Sequence, residues 1–409
     1  MPRRPTAISL FSGAGGLDYG FEAAGFKTGA TVEWDADACA TLRHNRSWTV
    51  FEGDIFGVST EDMLAAARLK RGEVDVVIGG PPCQPFSKSG YWARGDAGRL
   101  SDPRSNTLAA YMRVIDEALP RAFLLENVGG LSYSGKNEGL DLLLNRVEEI
   151  NARHGVKYSP EYRVLRAAEY GVPQLRERFV MVAARDGQPF KFPDPTHSSE
   201  GDDQLSLLRR ERCRTAWDAI GDVTLDPTED LALRGKWAEL LPSIPEGENY
   251  LFHTDRGGGL PLFGWRRRFW SFLLKLAKDK PSWTVQAQPG PATGPFHWAN
   301  RRLSMRELCR IQTFPDDVVI TGGRTSIQRQ VGNAVPSLLA EVLGRAIRRQ
   351  ILGHRVELMP TLMPPKRMPV SPPEHVTPVP KKFRTLEGDH AAHPGTGKGY
   401  RAEAWSGNA

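Results

Sequence analysis

The sequence has no long hydrophobic run, and only four of its 409 residues are cysteines. No stretch approaches about 18 consecutive apolar residues, so the sequence predicts neither a membrane span nor a signal peptide. The cysteines lie far apart and form no CxxC pair, which disfavours a disulfide framework and a structural zinc site. We therefore expect a reduced, cytoplasmic setting and no bound metal. The cysteines are Cys39, Cys83, Cys213 and Cys309.

An excess of acidic residues is also missing. Lys and Arg number 54 against 48 Asp and Glu, which gives a formal net charge of +6. This balance suits an anionic partner such as nucleic acid, and it suits plain solubility equally well. No internal repeat is visible. At about 150 residues per domain, the length predicts two or three domains.

Strand-like and helix-like patterns alternate over residues 1–185. This alternation predicts an α/β fold with a mainly parallel sheet covered on both faces, although it does not give the strand order. Apolar strand segments lie at 7–11, 28–33, 74–79, 122–126 and 178–183, and helical patterns lie at 16–24, 35–45, 60–69, 106–119 and 140–154.

The alternation is lost after residue 184. A Pro-, Ser- and Asp-rich linker leads into residues 200–300, which have weak periodicity and a basic, aromatic stretch at 255–280. Helical patterns return at 304–313 and 337–349. From residue 353 the chain is rich in proline and has little apolar periodicity, so we expect residues 353–409 to form a disordered tail.

A glycine-rich turn joins a strand to a helix in SLFSGAGGLDYGFEAAG, residues 9–25. Such a turn lets the backbone approach a nucleotide-like ligand closely. It is not a GxGxxG motif, because Asp18 occupies the third glycine position. Glu33 ends the next strand, where a carboxylate can accept hydrogen bonds from ribose hydroxyls. From these residues alone, an adenosyl ligand and a purely structural turn are equally supported, and Trp34 would either stack on an adenine or join the core.

Two further strands end in residues that can carry chemistry. In GGPPCQPFS, residues 79–87, two prolines hold Cys83 at the carboxyl end of a strand. Cys83 is either a buried small hydrophobe or a nucleophile, and its position favours the nucleophile. Glu126 ends the strand in FLLENVGG and would lie near Cys83 if the two strands are neighbours. A half-buried carboxyl group there can have a raised pKa and donate a proton, or it can simply cap a turn.

Alternating polar residues precede the last predicted strand in GVPQLRERFVMVA, residues 171–183. Alternation places Arg176 and Arg178 on one face, where they would hold a phosphate or a carbonyl oxygen or be ordinary solvated charges. Later in the chain, QRQVGNAVPSLLA places a turn before a helix that Pro336 can begin.

Taken in order, these motifs resemble the cytosine-C5 DNA methyltransferases of bacterial restriction–modification systems. The matching segments are SLFSGAGG, VEWD, GDI, GGPPCQPFS, ENV, QLRER, RRLS…RE…QTFPD and QVGNAVP. The resemblance implies a Rossmann-like, S-adenosylmethionine-dependent methyltransferase sheet with a second, smaller target-recognition domain. The catalytic domain would comprise residues 1–196 and 299–352, and the target-recognition domain residues 197–298. Ser9 departs from the family, which often has an acidic residue there.

The resemblance also implies how S-adenosylmethionine would be held. Glu33 would bind the ribose, Trp34 would pack on the adenine and Asp54 would accept a hydrogen bond from the adenine amine. Asn333 and Val335 would close the methionine end of the pocket. The other lining residues would be Phe11, Gly13, Gly15, Leu17, Ile55, Pro81 and Leu108.

For the reaction itself, the resemblance implies Cys83 as the nucleophile that adds to a flipped cytosine and Glu126 as its partner on the ring. Arg176 and Arg178 would hold the flipped base and its backbone, Arg178 being the better candidate for the base carbonyl. Because extruding the base leaves a gap in the duplex, the segment from Ser87 onward would fill it. The basic residues expected to contact DNA in the variable region are Arg266, Arg267 and Arg268.

The implied partner is double-stranded DNA, bound by a monomeric enzyme associated with the nucleoid and paired in function with a restriction endonuclease. The alternative is the tRNA-methylating branch of the family, which has Thr after PPCQPF and a Cys-Phe-Thr signature; here Ser87 follows, and no Cys-Phe-Thr occurs. An oxidoreductase would leave PPCQPFS, ENV and QLRER unexplained. A catalytically inactive homologue would have no need of Cys83 and Glu126.

Overall fold

The computed structural model describes residues 3–82, 106–132, 138–199, 210–265, 269–357 and 359–388. Its central element is a seven-stranded sheet. The strands are β1 (Thr6–Leu10), β2 (Lys27–Glu33), β3 (Thr49–Glu52), β4 (Val76–Gly79), β5 (Ala122–Asn127), β6 (Glu161–Arg166) and β8 (Glu177–Ala184). Their order is β3-β2-β1-β4-β5-β8-β6, and β7 (Gln174–Leu175) lies outside this sheet.

The sheet is mainly parallel, as the sequence predicted. The first five strands pair in parallel, whereas β8 runs antiparallel to both β5 and β6. From β1 the chain proceeds outward through β2 and β3 and later returns to build β4 and β5 on the other side. The direction of winding therefore changes between β1 and β4, and ligands of open α/β sheets bind at the carboxyl ends of the strands at such a point.

Helices cover both faces of the sheet. Along β1, Ile8 and Leu10 belong to one buried core and Ala7 to the other, because successive strand residues point to opposite faces. The first core includes side chains of α3 (Thr60–Ala67), α4 (Asn106–Ala118) and α5 (Glu138–His154). The second includes side chains of α1 (Gly16–Ala23) and α9 (Ser337–Gln350). The predicted coverage of both faces is thus confirmed.

Helix α9 packs closely on α1 because glycine leaves room for it. A Cβ atom at Gly20 would lie 2.3 Å from the backbone oxygen of Ser337, and one at Gly344 would lie 2.9 Å from the Cβ of Ala24. The contact joins the last helix of the catalytic region to the first. It also fixes the turn before α9 beside the glycine-rich turn before α1.

A third core forms around the carboxyl-terminal helices of the catalytic region. It is built mainly from α6 (Ala216–Ile220), α7 (Met305–Ile311) and α8 (Arg324–Asn333), and α2 (Ala36–Asn45) lies nearby. The sequence predicted α7 and α9 but not α8, whose polar QRQ segment resembles a loop. Although α6 falls within residues 197–298, it packs with residues 303–334, so the boundaries of the two domains stay a prediction.

A fourth, smaller core lies within the region that lost the strand–helix alternation. Most of its members come from residues 233–296, among them Leu240, Tyr250 and Phe296. Aromatic rings meet there at steep angles, as Tyr250 and Phe272 do with centroids 5.4 Å apart. Short two-stranded pairs flank it: β9 (His197–Ser198) pairs with β10 (Glu211–Arg212), and β11 (Ser282–Trp283) pairs with β7.

The prediction of a disordered tail is wrong for residues 359–388. Thr361 and Leu362 donate backbone hydrogen bonds to the buried Glu341 of α9. Val379 and Phe383 are buried in the fourth core, and Phe383 lies in the short helix α10 (Lys381–Arg384). The composition was misleading because a few anchors, spaced along extended proline-rich chain, fix the segment without helical or strand periodicity. Residues 389–409 lie outside the described residues.

Within the described ranges, no helix is both long enough and apolar enough to cross a membrane.

Candidate active site

The glycine-rich turn between β1 and α1 has a left-handed backbone at three positions. The φ angles are 55° at Phe11, 55° at Gly13 and 85° at Gly15. Glycine adopts this conformation readily, whereas Phe11 is strained by it, and such strain concentrates at ligand sites. A Cβ atom at Gly13 would meet nothing within 4 Å, while one at Gly15 would lie 2.9 Å from Leu42 and Tyr19 side-chain atoms. The turn is therefore packed against the Leu42 and Tyr19 side chains at Gly15, whereas the space next to Gly13 is open.

Glu33 holds this turn against the end of β2. One carboxylate oxygen accepts a hydrogen bond from the Gly13 N–H at 2.7 Å, and the other accepts from the N–H groups of Trp34 and Asp35 at 3.0 and 2.9 Å. Burial raises the pKa of Glu33, and these three donors oppose that rise. A carboxylate has about four acceptor sites, so one remains for a ligand hydroxyl.

Two exposed aromatic side chains border the same edge. Trp34 is 78% exposed and Phe56 is 55% exposed, so Trp34 does not belong to the core. Asp54 begins the 3₁₀ turn Ile55–Gly57, where its carboxylate accepts from the Phe56 N–H at 3.1 Å and Ile55 is buried. The Gly53 N–H donates to the Glu33 backbone oxygen. The GDI and VEWD motifs therefore lie side by side, as an adenosine site requires.

The turn of residues 333–336 closes the other side of the site. A Cβ atom at Gly16 would lie 2.3 Å from the backbone oxygen of Val335, so this turn lies directly on the start of α1. Asn333 is exposed at the end of α8, whereas Val335 is buried. Leu17 and Leu108 are both buried, in the cores on opposite faces of the sheet, and the ring of Phe11 packs against the core of Leu108.

Asp18, for which the sequence predicted no role, is a buried carboxyl group beneath the glycine-rich turn. Neither of its carboxylate oxygens accepts a hydrogen bond of ordinary geometry from the residues that the structure describes, although the Ser9 hydroxyl lies close enough to favour the charged form. Burial raises the pKa of Asp18 to about 7, and the nearby charges of Glu22 and Glu33 add to the rise. The Ser9 hydroxyl opposes it. The family often has an acidic residue at position 9. In this chain that position is Ser9, and the carboxyl group of Asp18, which belongs to α1, lies beside it.

Glu126 lies at the carboxyl end of β5, beside the end of β4. The two strands pair in parallel, which meets the condition for Glu126 to approach the PPC motif. A Cβ atom at Gly80 would lie 2.6 Å from a Glu126 carboxylate oxygen, and Asn127 Nδ2 donates to the backbone oxygen of Pro81 at 3.2 Å. Cys83 follows two residues later in the sequence and lies outside the described residues.

Arg178 forms an ion pair with Glu126, with 2.6 Å between Nε and the carboxylate oxygen. Burial raises the pKa of Glu126, while the charges of Arg178 and Arg176 oppose the rise. A buried carboxyl group that is held next to a guanidinium can share or donate a proton in the site. The structure thus brings Glu126 and Arg178 into direct contact, an ion pair that the sequence did not predict.

Arg176 has a different position from Arg178. Its guanidinium is buried and donates to the backbone oxygens of Gly332 at 2.8 Å and Val285 at 3.3 Å. It therefore ties the QLRER segment both to the turn that carries Asn333 and to the segment after β11. In the structure, the Arg176 guanidinium thus contacts backbone oxygens and forms no ion pair with Glu126.

A set of buried glutamines supports this arrangement, and the sequence analysis assigned them no role. Gln174 donates to Gln312 at 3.0 Å and accepts from the Val285 N–H at 3.1 Å. Gln312 in turn donates to the backbone oxygen of Val331 at 2.6 Å. Their presence inside the motifs QLRER and QTFPD was the available signal. Buried side-chain amides of this kind fix backbone segments that have no strand or helix partners.

Several predicted site residues lie outside the described residues, namely Cys83, Ser87, Arg266, Arg267 and Arg268. Across the described ranges, no group of three or more His, Cys, Asp or Glu side chains could hold a metal ion. The described residues bring Glu33, Trp34 and Asp54 together beside the open face at Gly13. A buried carboxyl–guanidinium pair lies at the same edge of the sheet.

The chain is similar to known DNA methyltransferases. A sequence model of the C-5 cytosine-specific DNA methylases matches residues 6–349. The Type II methyltransferase M.SacI of Streptomyces achromogenes is 42% identical over 84% of this chain and 93% of that protein. M1.HphI of Haemophilus parahaemolyticus is 35% identical over 84% and 86%.

Solved structures share the fold. A putative DNA modification methyltransferase encoded within an E. coli prophage superposes with a TM-score of 0.59 at 19% identity, covering 85% of this chain and 99% of that one. A mutant of DNMT2 from Spodoptera frugiperda gives 0.58 at 16%, covering 84% and 99%. The chain thus shares the fold of these methyltransferase structures, as the resemblance implied.

Proposed function

The chain belongs to the C-5 cytosine-specific DNA methylases, and we propose that it methylates C5 of one cytosine within a specific sequence of double-stranded DNA through a covalent intermediate on Cys83. The observation that carries the proposal is the Glu126–Arg178 ion pair. It lies at the end of β5 against Gly80, three residues before Cys83. A proton donor and a cation for a carbonyl oxygen thereby meet at one edge of the sheet, where the Cys83 nucleophile would join them.

The residues beside the glycine-rich turn fit S-adenosylmethionine. The remaining acceptor site of Glu33 would take a ribose hydroxyl, and the exposed ring of Trp34 would cover the adenine. Asp54 would accept a hydrogen bond from the adenine amine, and the open face at Gly13 leaves room for the ligand. Asn333 and Val335 would border the methionine end. The bound cofactor supplies a methyl group that is activated for attack by its sulfonium.

The chain's own residues would activate the base. The Cys83 thiolate adds to C6 of the cytosine, and the electron pair of the C5–C6 double bond moves toward N3. Glu126 donates a proton at N3, which burial of its carboxyl group favours, and Arg178 stabilises the negative charge at O2. C5 would then take the methyl group from the sulfonium, whose carbon–sulfur bond breaks to release S-adenosylhomocysteine. A base would remove the C5 proton, the bond from C6 to sulfur would break to release the Cys83 thiolate, and N3 would return its proton to Glu126, which gives 5-methylcytosine.

Reaching C6 requires that the cytosine leave the duplex, because stacking covers the ring inside the helix. We assign filling of the resulting gap to the segment from Ser87. DNA contacts are assigned to the region around the fourth core, including Arg266, Arg267 and Arg268. Since M.SacI and M1.HphI are Type II methyltransferases, the product would protect a restriction site from a cognate endonuclease.

Bisulfite sequencing of DNA from cells that express the protein tests this function. We expect one short sequence to be protected from conversion at one cytosine, and no such protection with Glu126→Ala. Purified protein should transfer tritiated methyl groups to a duplex that carries this sequence. Transfer to tRNA without transfer to duplex DNA would contradict the proposal and support the tRNA-methylating alternative.

A further inference from the structure

Three exposed apolar side chains form one patch beside the active site, which we call the aromatic rim: Leu175, Trp270 and Trp283. They are 41%, 37% and 36% exposed, respectively. The two tryptophan rings contact each other, with centroids 4.7 Å apart. Trp283 also pairs with Leu175 across two short strands. Single exposed apolar residues are ordinary on protein surfaces, whereas a contiguous group with two tryptophans marks an interaction site.

The fold holds the rim in a fixed conformation. In the parallel pair of β7 and β11, Ser282 lies opposite Gln174 and Trp283 lies opposite Leu175. Ser282 and Gln174 are fully buried, so strand alternation directs Trp283 and Leu175 to the solvent side. Thr284 Oγ1 donates to the Leu175 backbone oxygen at 2.6 Å, which reinforces the pairing. A rigid aromatic surface loses little conformational entropy when it binds.

The rim and the Glu126–Arg178 ion pair are carried by one short segment of chain. Leu175 lies between Gln174 and Arg176, and Arg176 donates to the backbone oxygen of Val285, two residues after Trp283. Arg178, three residues after Leu175, forms the ion pair with Glu126. This segment therefore directs its arginines to one side and the rim residue Leu175 to the other. A duplex whose extruded base reached Glu126 would bring its neighbouring bases to this segment.

We propose that Trp283 and Trp270 stack on a base of the target duplex that neighbours the extruded cytosine; this inference rests on the proposed function. Extrusion leaves the neighbouring bases without a stacking partner, and DNA-distorting proteins insert apolar side chains at such steps. Every base has an aromatic face, so the contact strengthens binding without choosing a sequence. The rim thereby offsets part of the free energy that base flipping costs.

Among the described residues, no ion pair or cation–π contact involves the three rim side chains, which distinguishes the rim from a phosphate-binding surface. Loss of a phosphate contact reduces the slope of log K against log salt, because fewer counterions are released on binding. Loss of stacking lowers the affinity by the same factor at every salt concentration. From the strength of base–aromatic stacking, we expect about a 5- to 100-fold loss for Trp283→Ala.

The experiment uses the full chain and a duplex that carries the sequence found by bisulfite mapping, with 2-aminopurine beside the target cytosine. Dissociation constants are measured at several salt concentrations for the wild type, Trp283→Ala, Trp270→Ala and Trp283→Phe. We expect weaker binding with an unchanged salt slope for both alanine variants, and brighter 2-aminopurine emission in their complexes because the base has lost its stacking partner. Trp283→Phe should recover most of the affinity.

Two controls accompany these variants. Tyr162→Ala removes an aromatic side chain that is 44% exposed on the edge strand β6, and it should bind DNA like the wild type. Binding of S-adenosylhomocysteine, measured by calorimetry, should be equal in all variants and reports that they fold. The role of the rim is refuted if both alanine variants bind DNA and quench 2-aminopurine emission like the wild type, or if their salt slopes flatten. In either case, methylation of DNA by the wild type would still support the proposed function. A wild type that methylates no DNA refutes both.

Discussion

Replacing Asp18 with Asn should make the protein more stable at neutral and basic pH. In the folded state the Asp18 carboxyl group is buried beneath the glycine-rich turn, and its oxygens accept no hydrogen bond of ordinary geometry from the described residues. Its pKa is about 7 there, against an ordinary value of 3.8. Ionising it in the folded state is therefore costly, and Asn occupies the same space without a charge to ionise.

The sign follows from proton binding. Between pH 4 and pH 7 the folded chain retains the Asp18 proton that the unfolded chain releases, so the free energy of unfolding falls as the pH rises through this window. At about 1.4 kcal/mol for each pH unit, the total loss is about 4 kcal/mol. Asp18→Asn removes this pH-dependent loss in the free energy of unfolding. The difference in free energy of unfolding between the variant and the wild type should therefore grow by about 2 to 3 kcal/mol from pH 5 to pH 8.

Urea unfolding of both proteins at pH 5, 6, 7 and 8, at constant ionic strength, measures this difference. Glu61→Gln is the matched control, since it removes one negative charge from an exposed position in α3. Its difference from the wild type should stay nearly constant across the series. Parallel pH profiles for the wild type and Asp18→Asn would refute the reasoning, because they would show that the buried carboxyl group does not titrate between the two states as described.

Three other predictions concern the chemistry, the DNA contacts and the carboxyl-terminal segment. Cys83→Ala should abolish methyl transfer and leave binding of S-adenosylhomocysteine nearly unchanged. The wild type should form a denaturant-resistant complex with duplexes that contain 5-fluorocytosine at the target. Methyl transfer by the variant would contradict the covalent step. Alanine at Arg266, Arg267 or Arg268 should have one of two effects. Loss of a phosphate contact would flatten the salt dependence of binding at all sequences, whereas loss of a base contact would relax one position of the recognition site. If all three variants bind DNA like the wild type at about 150 mM salt, these arginines do not contact the DNA. Glu341→Ala should lower the free energy of unfolding by about 3–5 kcal/mol, because it leaves the buried Arg345 without its ion pair and Thr361 without its acceptor. Urea unfolding measures this loss, and limited proteolysis measures the release of residues 359–388. An unchanged urea midpoint would argue against Glu341 as the residue that holds this segment.

The sequence predicted the parts of the fold that have strong local patterns. Short apolar runs predicted β1, β2, β4, β5 and β8, whereas β3 and β6 were not predicted, and Glu33 and Glu126 lie at strand ends where the motifs placed them. Strand order depends on which segments pair over long distances, and the pattern of a single strand does not contain that information. The same limit applies to α8, whose polar segment contacts a residue distant in the sequence: Gln312 donates to the backbone oxygen of Val331.

The contacts of individual side chains likewise fall into those that follow from the sheet and those that depend on distant loops. The ion pair of Glu126 with Arg178 follows from the neighbouring strands β5 and β8 once their order is known. The burial of Arg176 against Gly332 and Val285 depends on two remote loops, and alternation along the sequence placed it on the same face as Arg178 without distinguishing their contacts. The tail was misjudged for a related reason. Composition describes an average, whereas the packing of residues 359–388 depends on single anchors such as Phe383.

The passage of residues 359–388 across the molecule has a consequence for exchanging specificity between relatives. Val379 and Phe383 complete a core whose other members come from residues 233–296, and the ring of Phe383 stacks on Trp237 with centroids 5.7 Å apart. A chimera that imported only the central segment would present these two side chains with a foreign surface. The transferable unit is therefore discontinuous: the central segment and the carboxyl-terminal segment have to be exchanged together, with Glu341 kept as the point where the second one joins.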